Sequence, residues 1–313
     1  MDVRFDGQVA IVTGAGNGLG RSHALALAAR GAKVVVNDLG GARDGSGASS
    51  EAAREVVATI EANGCEAMAH GANVAVMAEV EDMVRQAMDK WGRVDILVNN
   101  AGILRDKTFA KMSLDDFRLV MDVHLMGSVN CTKAVWDIMR EQEYGRIVMT
   151  TSSSGMYGNF GQSNYGAAKM AVLGFMNTLG LEGAKKNVRV NALSPTAATR
   201  MTEDLLPKEV LDLLTPESVT AGALVLCHEP TRTHMRGLPH QELPGLRQCM
   251  EGHVEAARLT NPQVRAVGIA LNTAAMDAAQ AADLCARTAD MFGLPCSDPY
   301  RMGVDAMGDL LLA

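Results

Sequence analysis

Short apolar runs alternate with longer amphipathic stretches from residue 8 to about residue 195. Each run has the length of a strand, and each stretch between two runs is long enough for a helix. Strands that alternate with helices are joined by right-handed crossovers, so we predict an α/β fold with a doubly wound parallel sheet. The predicted strands are QVAIVTG, AKVVVNDL, CEAMAHGANV, VDILVNNAG, GRIVMTTSS and VRVNALSP.

A glycine-rich loop with the spacing TGxxxGxG follows the first predicted strand and precedes the helical run RSHALALAARG. The glycines allow a tight turn, a close approach of backbone to a pyrophosphate, and packing of the helix on the strand. The helix N-terminus adds N–H groups and a positive dipole end. This predicts a Rossmann-type dinucleotide site. Its candidate residues are Thr13, Gly14, Asn17, Gly18, Leu19 and Gly20.

Asp38 ends the second predicted strand and bears on the choice of dinucleotide. A carboxylate there accepts the ribose hydroxyls of an adenosine and repels a 2′-phosphate, which favours NAD over NADP. Arg43 lies nearby in a Gly/Ser loop and leaves NADP open. A helix cap or turn role for Asp38 is the alternative.

The motif NNAG, residues 99–102, ends the fourth predicted strand at the carboxyl edge, where open sheets bind ligands. We expect Asn100, Ala101 and Gly102 to face the cofactor. An ordinary turn is the alternative for this motif when it is read alone.

Ser152, Tyr165 and Lys169 form the pattern Ser-(x12)-Tyr-xxx-Lys. Positions i and i+4 share a helix face, so the Lys169 ammonium should lie beside the Tyr165 phenol and stabilise its phenolate. Tyr165 then becomes a usable base, and Ser152 can donate a hydrogen bond to the substrate oxygen. The pattern predicts proton transfer at a carbinol or carbonyl. A surface Tyr-Lys pair below a Ser-rich loop is the structural alternative.

Composition excludes several classes of protein. The net charge of −7, without a basic patch, argues against a nucleic-acid partner. No apolar stretch reaches the roughly 18 residues of a membrane span, and the N-terminus reads as a strand, not as a signal peptide. The six cysteines show no CxxC pair or regular framework, so we expect reduced thiols and a cytoplasmic location.

TGxxxGxG, NNAG and the Ser-Tyr-Lys pattern, in this order, resemble the short-chain dehydrogenase/reductase family over residues 1–228. VVVNDLGG, NNAGILRDKTFAKM and YGNFGQSNY are similar to its branch of (3R)-hydroxyacyl-CoA dehydrogenase units of peroxisomal multifunctional enzymes. The resemblance implies a role in fatty acid metabolism. The reaction would transfer a hydride between NAD and a secondary alcohol, with a 3-hydroxyacyl-CoA as the substrate. The resemblance also implies a homodimer or homotetramer.

The resemblance assigns roles to individual residues. Tyr165 would be the general acid/base, Ser152 the donor to the substrate oxygen, and Lys169 the residue that holds the nicotinamide ribose and lowers the tyrosine pKa. His124 stands where the family often has a catalytic asparagine, and a core histidine satisfied by backbone is the alternative. Asn73 takes the place of an adenine-contacting aspartate.

The tail, residues 229–313, departs from the family because no glycine-rich final strand follows Leu226. Residues 223–313 resemble the C-terminal part of a bacterial P-loop family that includes D-glutamate N-acetyltransferase-like proteins. No GxxxxGK[ST] occurs in the chain, so we expect no activity from the tail. The tail is predicted to contain helices at residues 245–260 and 276–293, the second capped by Gly293. Its predicted strand, residues 264–271, could cover the open edge of the sheet, or the tail could pack separately.

Two alternatives to an active dehydrogenase follow from this tail. The first is a catalytically impaired dinucleotide-binding fusion whose tail disrupts substrate or oligomer contacts, and the second is a transferase-like role of the tail. A metal site is not expected, because the spacing of the candidate ligands fits no compact motif. Those candidates are Cys227, His228, His234 and His240.

Overall fold

The computed structural model describes residues 4–47, 49, 51–195, 219, 269–270, 277–294 and 296–297. Its contacts divide the chain into two compact units, Met1–Pro239 and His240–Ala313. The predicted boundary between residues 228 and 229 lies outside the described residues. It therefore stays a prediction.

Six parallel strands form the sheet of the first unit, in the order β3-β2-β1-β4-β5-β6. This confirms the α/β class and each of the six predicted strands. The order reverses between β1 and β4, which is where a doubly wound sheet binds its ligand. The strands are β1 Val9–Thr13, β2 Lys33–Asn37, β3 Ala67–His70, β4 Ile96–Asn99, β5 Gly145–Thr150 and β6 Val188–Leu193.

Helices cover both faces of this sheet. They are α1 Gly18–Ala28, α2 Glu51–Ala62, α3 Met77–Trp91, α4 Leu114–Met121, α5 Gly127–Glu141, α6 Ser153–Tyr157 and α7 Ser163–Gly183, with 3₁₀ turns at Phe109–Lys111 and Ala184–Lys186. A π-helical turn, Asp122–Met126, joins α4 to α5. No helix among the described residues is long and apolar enough to cross a membrane.

The core lies in two halves, one on each side of the sheet. Val12 and Val36 pack with α1 and α2, whereas their neighbours Ile11 and Val35 pack with residues of α3 and α5 on the other face. Successive side chains of a strand point to opposite faces, so a strand covered on both sides must be apolar throughout. This explains why the strands read as continuous apolar runs.

The second unit is described in three short pieces. The helix α8, Ala278–Phe292, begins with a capping box at Asp277 and ends at Gly293, whose φ is 63°. Both the helix and its glycine cap confirm the sequence prediction. The strands β7, Ile269–Ala270, and β8, Cys296–Ser297, pair in parallel. The described part of the predicted tail strand thus pairs within its own unit; the rest lies outside the described residues, as does the predicted helix near residues 245–260.

Candidate active site

The glycine loop has the conformation that its sequence predicts. Gly14 and Gly18 have φ of 62° and 54°, a region that side chains rarely adopt. A Cβ on Gly20 would come within 2.2 Å of the Gly14 carbonyl oxygen, and one on Gly14 would come within 2.8 Å of the Ala101 Cα. The loop is therefore pressed between the start of α1 and the NNAG segment. Its free face can approach a ligand, and these residues fit a bound dinucleotide.

Thr13 and Asn100 join the glycine loop to the NNAG segment. The Thr13 hydroxyl accepts hydrogen bonds from the backbone N–H groups of Asn100 at 3.0 Å and Ala101 at 3.1 Å. The Asn100 side-chain amide donates to the carbonyl oxygens of Thr13 and Gly14, at 2.9 and 3.1 Å. The structure thus brings together two motifs that lie far apart in the sequence. Thr13 and Gly20 act as supports rather than as part of the cavity wall.

A cavity of about 220 Å³ opens at this edge of the sheet. Most of the residues predicted to bind the cofactor line it, as do several that the sequence did not indicate. The predicted ones are Gly14, Asn17, Gly18, Leu19, Asp38, Asn73, Asn100, Ala101 and Gly102. The unpredicted ones include Asn37, Gly41, Ala42, Gly45, Ile103, Leu119 and Val123. Their only sequence signal is a position next to a predicted motif.

Asp38 has the turn role that was its alternative in the sequence. One carboxylate oxygen accepts a hydrogen bond from the backbone N–H of Gly16 and the other from that of Gly40, both at 2.7 Å. Each oxygen keeps a further lone pair, so the carboxylate can still accept a hydroxyl. Asn73 also has a local role, because its side-chain oxygen accepts from the Ala75 N–H at 3.0 Å.

Ser152, Tyr165 and Lys169 lie together at the carboxyl end of β5. Ser152 is the N-cap of α6, where its hydroxyl accepts a hydrogen bond from the Ser154 N–H at 3.2 Å, and it lies beside Tyr165 of α7. The Lys169 Nζ lies 5.5 Å from the centroid of the Tyr165 ring and donates to the Thr150 carbonyl oxygen at 2.6 Å. The i, i+4 pair therefore shares a face, as the spacing predicts.

Burial sets the ionisation of this pair. It lowers the pKa of Lys169, which is 4% exposed, to about 7. Burial also raises the pKa of Tyr165, and the neighbouring Ser152 hydroxyl, which lowers that pKa, opposes only part of the increase. The predicted lowering of the Tyr165 pKa is therefore not seen in the protein alone, because desolvation of the phenolate outweighs its partners.

His124 joins the cavity to the three candidate catalytic residues. Its ring packs edge-on against Tyr165, with 5.1 Å between the ring centroids, and a Cβ on Gly102 would lie 2.4 Å from its Cε1. Its Nε2 meets the Ile103 carbonyl oxygen at 2.8 Å. Burial lowers the pKa of His124 to about 3, so the ring is neutral. Among the described residues its buried Nδ1 has no partner, so backbone satisfies only one of its two nitrogens.

The described residues contain no group of three or more metal-ligand side chains. The four histidine and cysteine candidates of the tail lie outside the described residues. The described site offers a serine hydroxyl, a tyrosine phenol and a lysine amine beside a glycine-lined cavity.

Family profiles match both parts of the chain. The profile described as short chain dehydrogenase matches residues 8–210, and one described as a P-loop domain of unknown function matches residues 212–308. The second match agrees with the resemblance predicted for the tail.

Two relatives are more than 50% identical to this chain over aligned segments of 222 and 227 residues. A short-chain type dehydrogenase/reductase of Mycobacterium tuberculosis is 55% identical over 222 residues, which cover 71% of this chain and 78% of that protein. The peroxisomal multifunctional enzyme type 2 of Mus musculus is 52% identical over 227 residues, 72% of this chain but only 30% of that protein. The chain thus spans less than a third of the mouse enzyme.

Solved structures show the same fold. The full-length peroxisomal multifunctional enzyme type 2 of Drosophila melanogaster superposes with a TM-score of 0.59 at 46% identity, over 72% of this chain and 36% of that one. A 7α-hydroxysteroid dehydrogenase complexed with NADH and 7-oxo glycochenodeoxycholic acid gives a TM-score of 0.65 at 30% identity, over 72% of this chain and 89% of that one.

Proposed function

Because the chain belongs to the short-chain dehydrogenase/reductase family, we propose that it is an NAD-dependent oxidoreductase of secondary alcohols, with a 3-hydroxyacyl-CoA as substrate. The observation that carries this proposal is the juxtaposition of Ser152, Tyr165 and Lys169 with the glycine-lined cavity. The similarity to multifunctional peroxisomal enzymes supports the acyl-CoA class of substrate.

The side chains divide the proton chemistry among them. Ser152 donates a hydrogen bond to the substrate oxygen and holds it next to the Tyr165 hydroxyl, which exchanges the proton with it. Protonated Lys169 stabilises the phenolate form of Tyr165 by its charge. The glycine-lined cavity would hold the dinucleotide, which when bound would supply the hydride acceptor for the oxidation. His124 positions Tyr165 by edge-on packing and, being neutral, adds no charge beside the phenolate.

Asp38 supports the choice of NAD over NADP. Its carboxylate lines the cavity at the end of β2, where its charge repels a 2′-phosphate. Arg43 lines the same cavity and could offset part of that repulsion. NAD is therefore the proposed cofactor, with a preference that depends on Asp38.

The proposal includes a cytoplasmic location and a homodimer or homotetramer. The cysteines of the described part of the chain, Cys65, Cys131, Cys285 and Cys296, are free thiols, which supports a reducing compartment. Met170 and Leu181 of α7 are 50% and 81% exposed, and large apolar side chains on one helix support contact with another subunit.

The test is the formation of NADH from a panel of (3R)-3-hydroxyacyl-CoAs of several chain lengths and of simple secondary alcohols, with NADP measured in parallel. We expect turnover with NAD and at least one thioester. Binding of NADH without turnover of any substrate would instead favour the impaired dinucleotide-binding protein. Absence of both would contradict the proposed function.

A further inference from the structure

The segment that follows Asp38, residues 39–47, is an ordered loop that we call the strap. The Ala42 N–H donates to the Ser46 carbonyl oxygen at 2.8 Å, and the Ser49 N–H closes the base by donating to the Leu39 carbonyl oxygen at 2.9 Å. Gly40, Gly45 and Gly47 have φ of 73°, 85° and 76°. These glycines allow the chain to turn back on itself, so the strap has a definite shape.

The strap crosses the cavity and docks on the segment that follows NNAG. The Leu104 N–H donates to the Arg43 carbonyl oxygen at 2.9 Å. Gly45 packs so closely on Ile103 that a Cβ there would lie 3.1 Å from the Ile103 Cδ1. The strap and Ile103 line the same cavity. The strap thus begins at Asp38, next to the glycine loop, and its middle is attached to Ile103 and Leu104.

Arg105 fastens this contact. Its Nε donates to the Asp44 carbonyl oxygen of the strap at 2.5 Å, and its Nη1 donates to the Asp116 carboxylate of α4 at 3.0 Å. Arg105 and Asp116 are 30% and 11% exposed, so water screens their ion pair only in part. A planar guanidinium can make both bonds at once. Arg105 therefore ties the strap to the helix α4.

We propose that the strap is a closure over the dinucleotide and that Arg105 is the positioning residue that latches it. This rests on the proposed function. The latched strap forms part of the cavity wall through Ala42, Arg43 and Gly45, so its outward movement would widen the path by which a dinucleotide enters and leaves. Opening of the latch then limits the rate at which NADH is released.

Two variants of Arg105 and one control test the latch. Arg105→Ala removes both bonds, whereas Arg105→Lys keeps a charge for Asp116 but cannot also hold the Asp44 carbonyl oxygen. The control is Arg118→Ala, which removes an exposed ion pair of the same helix, that of Arg118 with Asp115 at 3.3 Å. Hydrogen exchange of the Leu104 amide reports docking of the strap in the free protein. Stopped-flow displacement of NADH reports its release.

We expect both Arg105 variants to exchange the Leu104 amide and to release NADH about ten-fold faster than the unmutated protein, and Arg118→Ala to change neither rate. Wild-type rates in both Arg105 variants would overturn the proposal. Faster exchange with unchanged NADH release would overturn the closure. If Arg105 acts only through its ion pair with Asp116, Arg105→Lys should restore wild-type rates of amide exchange and NADH release, which would contradict the latch.

A second variant covers the case in which Arg105→Ala does not fold. Gly45→Ala strains the strap and pushes it from Ile103 without touching Arg105, so it should accelerate both rates too. Unchanged rates in that variant would count against the strap. If the unmutated protein binds no NADH, the proposed function fails, while the exchange of the Leu104 amide still decides whether Arg105 latches the strap.

Discussion

Asp38 shows how one residue can serve both fold and ligand. Its carboxylate fixes the backbone of Gly16 and of Gly40, and its charge faces the cavity. We expect Asp38→Ser to lower the preference for NAD over NADP by about ten-fold or more, since the repulsion of a 2′-phosphate is lost.

The assay is kcat/KM with each cofactor. Asp38→Asn is the matched variant, because it removes the charge but keeps an oxygen for one of the two amides. Asp38→Asn should also lower the preference for NAD over NADP, with a smaller loss of affinity for either dinucleotide than Asp38→Ser. Equal efficiency with NAD and NADP in the unmutated protein would contradict the role of Asp38.

Tyr165 carries the second prediction at this scale. Tyr165→Phe removes only the hydroxyl, so turnover should fall by about 10²–10⁴-fold while NADH binds within a few-fold of the wild-type affinity. Tyr144→Phe is the control, since Tyr144 precedes β5 at the opposite end of the strand from the site. Turnover rates and NADH fluorescence titrations measure the two effects. Near-normal turnover of Tyr165→Phe would remove the phenol from the mechanism.

The sequence predicted contacts between residues that are close in the chain better than contacts between residues that are far apart in it. The i, i+4 spacing placed Lys169 beside Tyr165 correctly, because a single helix holds both. The contacts of Asp38 with Gly16 and of His124 with Ile103 depend on how separate segments meet. No local spacing encodes such contacts, and desolvation of Tyr165 likewise depends on the completed core.

At the scale of elements, the glycine loop and α1 behave as one piece. A Cβ on Gly20 would meet the backbone of Gly14 at 2.2 Å, and backbone cannot move aside as a side chain can. Gly20→Ala should therefore destabilise the protein by about 1–3 kcal/mol and weaken NADH binding by at least about ten-fold.

Gly174→Ala is the matched control within α7. A Cβ there meets nothing within 4 Å, so alanine should stabilise the helix by about 0.5–1 kcal/mol and leave NADH binding unchanged. Urea unfolding and NADH titration measure both variants. A Gly20→Ala protein that is as stable as the wild type would show that α1 does not pack tightly on the loop.

The helical segment around His124 contains a feature that the sequence did not predict. A π-helical turn, Asp122–Met126, stands between α4 and α5. Such turns occur at functional sites, and this one contains His124. The spacing of apolar residues does not show whether a turn is α-helical or π-helical. That difference depends on the contacts of the His124 ring in the folded protein.

At the scale of the whole molecule, two buried histidines make stability depend on pH. Burial lowers the pKa of His124 to about 3 and that of His23 to about 4. The unfolded chain, with histidine pKa values near 6.5, takes up these protons first as the pH falls. The stability that the two neutral histidines contribute is therefore complete above pH 6.5 and is lost as the pH falls towards 4.

Each histidine should cost about 2 kcal/mol of stability at pH 5 relative to neutral pH. Melting temperatures between pH 7.5 and pH 5 measure this, since few carboxylates titrate in that window. The double variant His23→Gln, His124→Gln should have a shallower pH dependence, whatever its absolute stability. An equal slope in both proteins would show that the two rings are accessible to protons in the native state.

The six strands of the sheet and its parallel, doubly wound class were predictable from the sequence, whereas the elements of the tail were only partly so. Alternation of runs and stretches is a global pattern, and it predicted all six strands of the first unit. In the tail, the capping residues Asp277 and Gly293 mark α8 clearly. The pairing of Ile269 with Cys296 joins short segments whose sequences carry no such marks.

The division of the core by the sheet also determines which substitutions a library of variants could carry. Each residue of β1, from Val9 to Thr13, is buried, and neighbours serve opposite halves of the core. In a saturation screen selected for folded protein, β1 should therefore form an unbroken block of positions that reject charge. β6 should behave differently, because Arg189 on it is only half-buried. We expect β6, the last strand in the order of the described sheet, to tolerate diversity that β1 would not.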